Sequence, residues 1–316
     1  MLFSNFMTSI HAYSDEISAD FSVAPLYSEH QSQGVNNFYD IVWTPSYEEE
    51  FAVKITNNTD EVQSYTMNVN KARTNKNGII DYSDSSPESE DIKYKLTEMV
   101  KIDKEVTLDA NSSKIIEGKI TFPDVDFDGI LMAGIYISQM NDSVNESTIS
   151  SLISYNIPFI VRGNIDTRPD PNLTFTALKV EKDSSDTAIL NVNLDNKGPN
   201  LLKSVSVLTE IVDEDGKSVF NQEGTIDITP ETSFSYPIEI PSTIESGKYN
   251  MIFTIRHSEE NVWIFEETFD ISEEYVNDSL PIKQDQRIST YILLIGITIL
   301  LIILIVIVKK RFLDKK

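Results

Sequence analysis

Phe51–Asp60 reads Phe-Ala-Val-Lys-Ile-Thr-Asn-Asn-Thr-Asp, and its two halves carry different messages. Phe51, Val53 and Ile55 fall on one side of an extended chain, with Ala52, Lys54 and Thr56 on the other, which is the two-residue period of a strand buried on one face. Asn57–Asp60 then supplies short polar side chains that bond their own backbone and end the strand. The same alternation recurs at Tyr65, Met67 and Val69, at Ala188, Leu190, Val192 and Leu194, and at Val205, Val207 and Ile211. No comparable helical period occurs before residue 291. An α/β nucleotide-binding fold is therefore disfavoured, and an all-β protein of antiparallel sheets is expected.

Working outward, the chain repeats itself loosely. The strand Thr187–Leu194 ends at Asp195-Asn196-Lys197-Gly198, as Phe51–Ile55 ends at Asn57-Asn58-Thr59-Asp60. Each half closes on an aromatic-bearing strand, Ile130–Ser138 after Asp128-Gly129 and Tyr249–Ile255 after Ser246-Gly247. A length of 316 residues suits about two domains. The expectation is two tandem immunoglobulin-like β-sandwich domains over residues 13–140 and 150–276. Their boundary is placed in the polar stretch Met140–Ser151, so that Leu152–Val161 opens the second domain. Arg162–Pro171 is the competing boundary, although its prolines also suit a loop between edge strands.

The one long apolar run is Tyr291–Val308, 18 residues without a charge, closed by Lys309-Lys310-Arg311. That length crosses ~30 Å of hydrocarbon, and the basic tail, residues 309–316, orients it with everything before Tyr291 outside. One C-terminal transmembrane helix over 291–308 is thus expected. Ahead of it, the acidic stretch Ser272–Thr290 reads as a stalk to the membrane, its linker proper being 277–290. Leu280-Pro281-Ile282-Lys283-Gln284 lacks the Thr and Gly of a wall-sorting signal. At the other end, residues 1–12 have a small residue at Ala12 but a short apolar stretch and no basic start, and are read as a truncated signal peptide.

Charge and composition exclude several functions. The tail carries +4 of the −24 total, leaving −28 on the rest of the chain, so nucleic acid is not an expected partner. There is no cysteine, which removes disulfides, thiolate metal sites and thiol nucleophiles, and fits export from a bacterium whose secreted proteins do without disulfides. The three histidines, His11, His30 and His257, stand in no catalytic or metal-binding spacing. No catalytic residue, metal ligand or cofactor is expected, and the chain is read as a non-enzyme. The acid runs Glu48-Glu49-Glu50 and Glu88-Ser89-Glu90-Asp91 read as solvated surface.

Several stretches of the first half resemble the WxL-interacting protein family, whose members set a peptidoglycan-binding domain and a host-binding domain ahead of a C-terminal membrane helix. They are Phe21-Ser22-Val23-Ala24-Pro25, Phe38-Tyr39-Asp40-Ile41 with Pro45, and Ile55–Asp60. More specific are Ala72–Ser83 (Ala-Arg-Thr-Asn-Lys-Asn-Gly-Ile-Ile-Asp-Tyr-Ser), Phe127-Asp128-Gly129 and Ala133-Gly134-Ile135. The family usually has Gly where Ser46 follows Pro45, a departure confined to that turn. The resemblance covers most of the chain and is closer in the first domain. It implies a surface protein of a Gram-positive bacterium that contacts peptidoglycan, holds WxL-domain wall proteins and, in some members, binds host matrix proteins.

From the residues themselves, Asn75, Asn77 and Asp81 place three oxygen-bearing side chains around Gly78, an arrangement that serves either a Ca²⁺ loop or a tight turn bonding its own backbone; it lacks the acid density of an EF-hand. Tyr82 and Trp43 are weaker candidates for contact with a sugar or peptide. Tyr82 is the better placed, among polar neighbours, while a Trp such as Trp43 more often fills a core.

Overall fold

The computed structural model describes residues 19–140, 153–164, 167, 169–182 and 188–272. The expected signal remnant, linker, membrane helix and tail lie outside the described residues, as does most of Met140–Ser151. Among the described residues no helix is long and apolar enough to cross a membrane.

The described chain is all-β, with a single helical turn, α1 (Leu96–Met99). The first sandwich takes β1 (Phe21–Leu26), β2 (Tyr39–Val42), β3 (Glu48–Asn57) and β4 (Gln63–Lys71). After a small hairpin of β5 (Arg73–Thr74) and β6 (Ile80–Asp81) it continues with β7 (Val100–Ile102), β8 (Glu105–Leu108), β9 (Ser113–Thr121), β10 (Ile130–Gln139) and β11 (Ser154–Arg162). Its two sheets have strand orders β1-β3-β9-β7 and β2-β11-β10-β4-β8. The second sandwich takes β12 (Leu173–Lys182), β13 (Ala188–Asn196), β14 (Leu202–Val212), β15 (Ser218–Ile228), β16 (Thr232–Glu239), β17 (Gly247–Arg256) and β18 (Val262–Ile271), in sheets β12-β13-β16 and β15-β14-β17-β18.

The alternating residues form the cores. Phe51, Val53 and Ile55 point inward on β3 together with Tyr65 and Met67 on β4, and Leu190, Val192 and Leu194 point inward on β13. Each such side chain contributes roughly 1.5–3 kcal/mol by leaving water. The two cores are separate clusters.

Three expectations are corrected here. Leu152–Val161 does not open the second sandwich: β11 pairs antiparallel with β10 and parallel with β2, and Phe159 and Val161 sit in the first core. Asp40 secures that parallel contact, its carboxylate accepting from Arg162 Nε at 2.6 Å and Nη2 at 2.8 Å. Glu49 is not solvated. It lies on the inward side of β3 at 2% exposure, accepting from the His30 amide at 3.1 Å, with His30 Nδ1 2.7 Å away. Glu88 is likewise buried.

Candidate functional site

The segment between β4 and β7 folds over the outer face of the first sandwich and reaches the second. The Ala72 amide donates to Met132 O of β10 at 3.1 Å, where the chain leaves β4 for the β5–β6 hairpin. Its turn is built by Asn75: Oδ1 accepts from the amides of Asn77 (2.9 Å) and Ile79 (3.2 Å), and the Gly78 amide donates to Asn75 O at 2.9 Å. Gly78 has φ +71, open to glycine at little cost. A β-carbon there would also stand 2.2 Å from Ile226 Cγ2, so the glycine is needed twice, for its conformation and for contact with the second sandwich.

That contact is a clamp. The Asp227 amide donates to Gly78 O at 2.8 Å. Thr74 Oγ1 donates to Asp227 O and accepts from the Thr229 amide, each at 2.9 Å. Thr229 and Thr232 extend the chain of buried hydroxyls, 2.7 Å apart at their Oγ1 atoms. On the other side of the junction, the Ile130 amide donates to Pro199 O at 2.7 Å, and a β-carbon on Gly129 would fall 2.6 Å from that carbonyl.

Beneath the hairpin lies a charged cluster drawn from both sandwiches. Lys71 Nζ stands 3.3 Å from Glu88 Oε2 with both side chains at 1% exposure or less, an ion pair by distance without ideal hydrogen-bond alignment. Glu88 Oε1 accepts from Thr97 N (3.1 Å) and Oγ1 (2.7 Å). Glu231, at the β15–β16 turn, has its carboxyl raised above the ordinary range by burial, with Lys71 opposing the rise and Glu88 adding to it. A buried lysine is tolerated only beside such a partner.

The five candidate residues separate accordingly. Asn75 shapes the clamping turn. Asn77 belongs to its tip, beside a cavity of about 750 Å³ whose far wall is Asn191, Gln222 and Tyr236 of the second sandwich. Asp81 spends its carboxylate on Ser83, accepting from the amide at 2.9 Å and from Oγ at 3.0 Å. Its oxygens and those of Asn75 are thus committed within the chain, and no group of three or more acids or histidines among the described residues could hold a metal. Tyr82 lays its ring against the backbone of Gly134, where burial pushes its phenol up to about 12, and its carbonyl accepts from Asn70 Nδ2 at 2.8 Å. Trp43 is corrected as a contact residue: it is 6% exposed, in ring contact with Tyr94, Phe122 and Phe127, with Nε1 donating to Val125 O at 2.8 Å. The junction residues missed from sequence are Lys71, Thr74, Glu88, Thr229 and Glu231, for which no local pattern exists.

Ala72–Ser83, Gly129 and Gly134, the most specific parts of the resemblance, therefore all lie at this junction or under the segment that builds it. Family models match the chain in the same order: WxL Interacting Protein, peptidoglycan binding domain, over residues 21–139, and WxL Interacting Protein, host binding domain, over 144–279. The chain belongs to the WxL Interacting Protein family. It thus carries two domains of binding type, neither of them an enzyme family. The host binding match begins ahead of β11, so in this WxL Interacting Protein the opening strand of that match is built into the first sandwich. No curated protein matches the chain. Among solved structures, one of a chaperone–tip adhesin complex of CFA/I fimbriae is 13% identical, with TM-score 0.34 over 78% of this chain and 98% of its own. The class 5 fimbriae chaperone CfaA is 14% identical, with TM-score 0.30 and the same coverages. Likeness at this level carries no argument about function.

Proposed function

We propose that the protein is a membrane-tethered surface scaffold whose first sandwich contacts peptidoglycan and whose second holds partner proteins, WxL-domain wall proteins first and host matrix proteins further. The observation that carries this reading is the ordered pair of family matches on two sandwiches joined by a buried junction. A scaffold that must hold one partner at the wall and another beyond it gains from a fixed angle between its modules, since a loose joint would add ordering entropy to each bridging event. The uncharged run Tyr291–Val308 and the Lys309-Lys310-Arg311 cluster support anchoring with the sandwiches outside. Affinity would come from extended surfaces and sheet edges, which need no special residue.

The test is retention of the whole chain, in detergent, on purified peptidoglycan sacculi and, separately, on an immobilised WxL-domain protein, at low and moderate salt. Retention on both supports the scaffold. Retention on neither at any salt sinks it and leaves the second reading, a surface spacer without a dedicated ligand, which the buried junction alone would also suit.

A further inference from the structure

The exposed edges of the two sandwiches are not equally protected. An open edge offers unpaired N–H and C=O groups to any passing strand, and natural sheets blunt it with short strands, proline, lysine or bulges. In the first sandwich, β1 contains Pro25, β7 and β8 have three and four residues, and β2 is bridged by Gln31 to Ile41. In the second, β12 is bulged between Phe175 and Ala177 and carries Lys179 and Lys182, β16 contains Pro237, and β15 is bulged at Val219, between the partners of Ile211 and Val212, and held at Asp227 by the Gly78 hairpin. Among the described strands the remaining edge is β18. It pairs with β17 through ten residues without a register shift, and its sequence, Val-Trp-Ile-Phe-Glu-Glu-Thr-Phe-Asp-Ile, has no proline, lysine or arginine.

We infer that β18 is a docking edge for an extended segment of another protein in which apolar residues alternate with basic ones. The inference rests on reading the second sandwich as a protein-binding domain. Side chains of β18 set both halves of the pattern. Ile264, 60% exposed, shares the outer face with exposed Glu266, Thr268 and Asp270, which an added strand would meet with a basic residue beside the acids and an apolar one beside Ile264. On the inner face Trp263 and Phe265 are only half-buried, with Phe265 stacked on Phe175 at 5.8 Å, and apolar side chains of the incoming strand would complete their cover. Charge also rejects the nearer occupants. A second copy of β18 paired in parallel register would set Glu266, Glu267 and Asp270 against their like, antiparallel pairing centred on Thr268 would oppose Glu266 to Asp270, and the chain's own continuation brings Glu273, Glu274 and Asp278.

The experiment uses the whole chain and a labelled peptide alternating lysine with valine, as long as β18, read by fluorescence anisotropy and by hydrogen exchange. Binding with new protection of β18 amides is expected. It should be lost when the peptide's outward amides are N-methylated, which keeps its charge but removes its strand donors. It should weaken about tenfold in the doubly substituted Ile264→Lys, Glu266→Lys chain, whose exposed positions leave the fold intact. Equal binding of the methylated peptide would show charge attraction alone and overturn the inference, as would no binding or protection elsewhere. Because sacculus and WxL retention are measured separately, the edge can fail while the scaffold stands.

Discussion

Asn57 and Asn196 end equivalent strands of the two sandwiches, β3 and β13, and do the same work. Each is buried, with 1% exposure or less. Asn57 Nδ2 donates to Glu61 O at 2.7 Å and Asp109 O at 3.0 Å while Oδ1 accepts from the Thr59 amide. Asn196 Nδ2 donates to Asn200 O and Thr229 O, both at 2.9 Å, while Oδ1 accepts from the Gly198 amide. The surroundings differ. The first turn lies by the start of β1, where the Asn58 amide donates to Asp20 O. The second presents Pro199 to the other domain, against Gly129 and Ile130. One local chemistry thus serves a free end in one sandwich and a docked end in the other. What makes the difference is a set of residues distant in sequence.

The sharpest way to break the docked side is Lys71→Met. It leaves Glu88 buried without its cation, and such a removal destabilises by roughly 3–5 kcal/mol, read as a drop in denaturation midpoint. Next come the asparagines: Asn57→Ala and Asn196→Ala each leave buried backbone carbonyls unpaired, for about 1–3 kcal/mol by chemical denaturation. Only the second should also loosen the junction, seen as faster hydrogen exchange at Ile130. Thr74→Val removes the hydroxyl between Asp227 and Thr229 at about 1–2 kcal/mol, since the Thr229 amide loses its acceptor. The smallest effect is Glu231→Gln. Because the folded carboxyl is raised, its contribution is present at acid pH and is lost as pH rises through the folded value. The Gln chain should therefore be slightly more stable at neutral pH, by under about 1 kcal/mol after solvent screening, with the gap closing as pH falls. A melting series over pH checks the sign.

This contrast also says what was legible in the sequence. The inward residues of β3, β4, β13 and β14, and the turns at Asn57, Asn75 and Asn196, follow from period and side-chain reach, both local. The place of β11 does not, because its parallel pairing with β2 joins segments more than a hundred residues apart while its own alternation fits either sandwich. Glu49 and Glu88 read as surface because acid runs usually are; only the strand period of β3 hints that Glu49 alternates with exposed Glu48 and Glu50. At the candidate site the turn chemistry of Asn75 and Gly78 was visible. The second demand on Gly78, room for Ile226, was not, since it is set by a residue of the other domain.

If the Ala72–Ser83 segment clamps the two sandwiches into one unit, Gly78→Val should release them. Valine opposes the positive φ and drives a side chain into Ile226, while the first core is untouched. Scanning calorimetry should then show one coupled transition for the native chain and two separate ones for the variant. A variant that still melts in a single transition at the native temperature would contradict it.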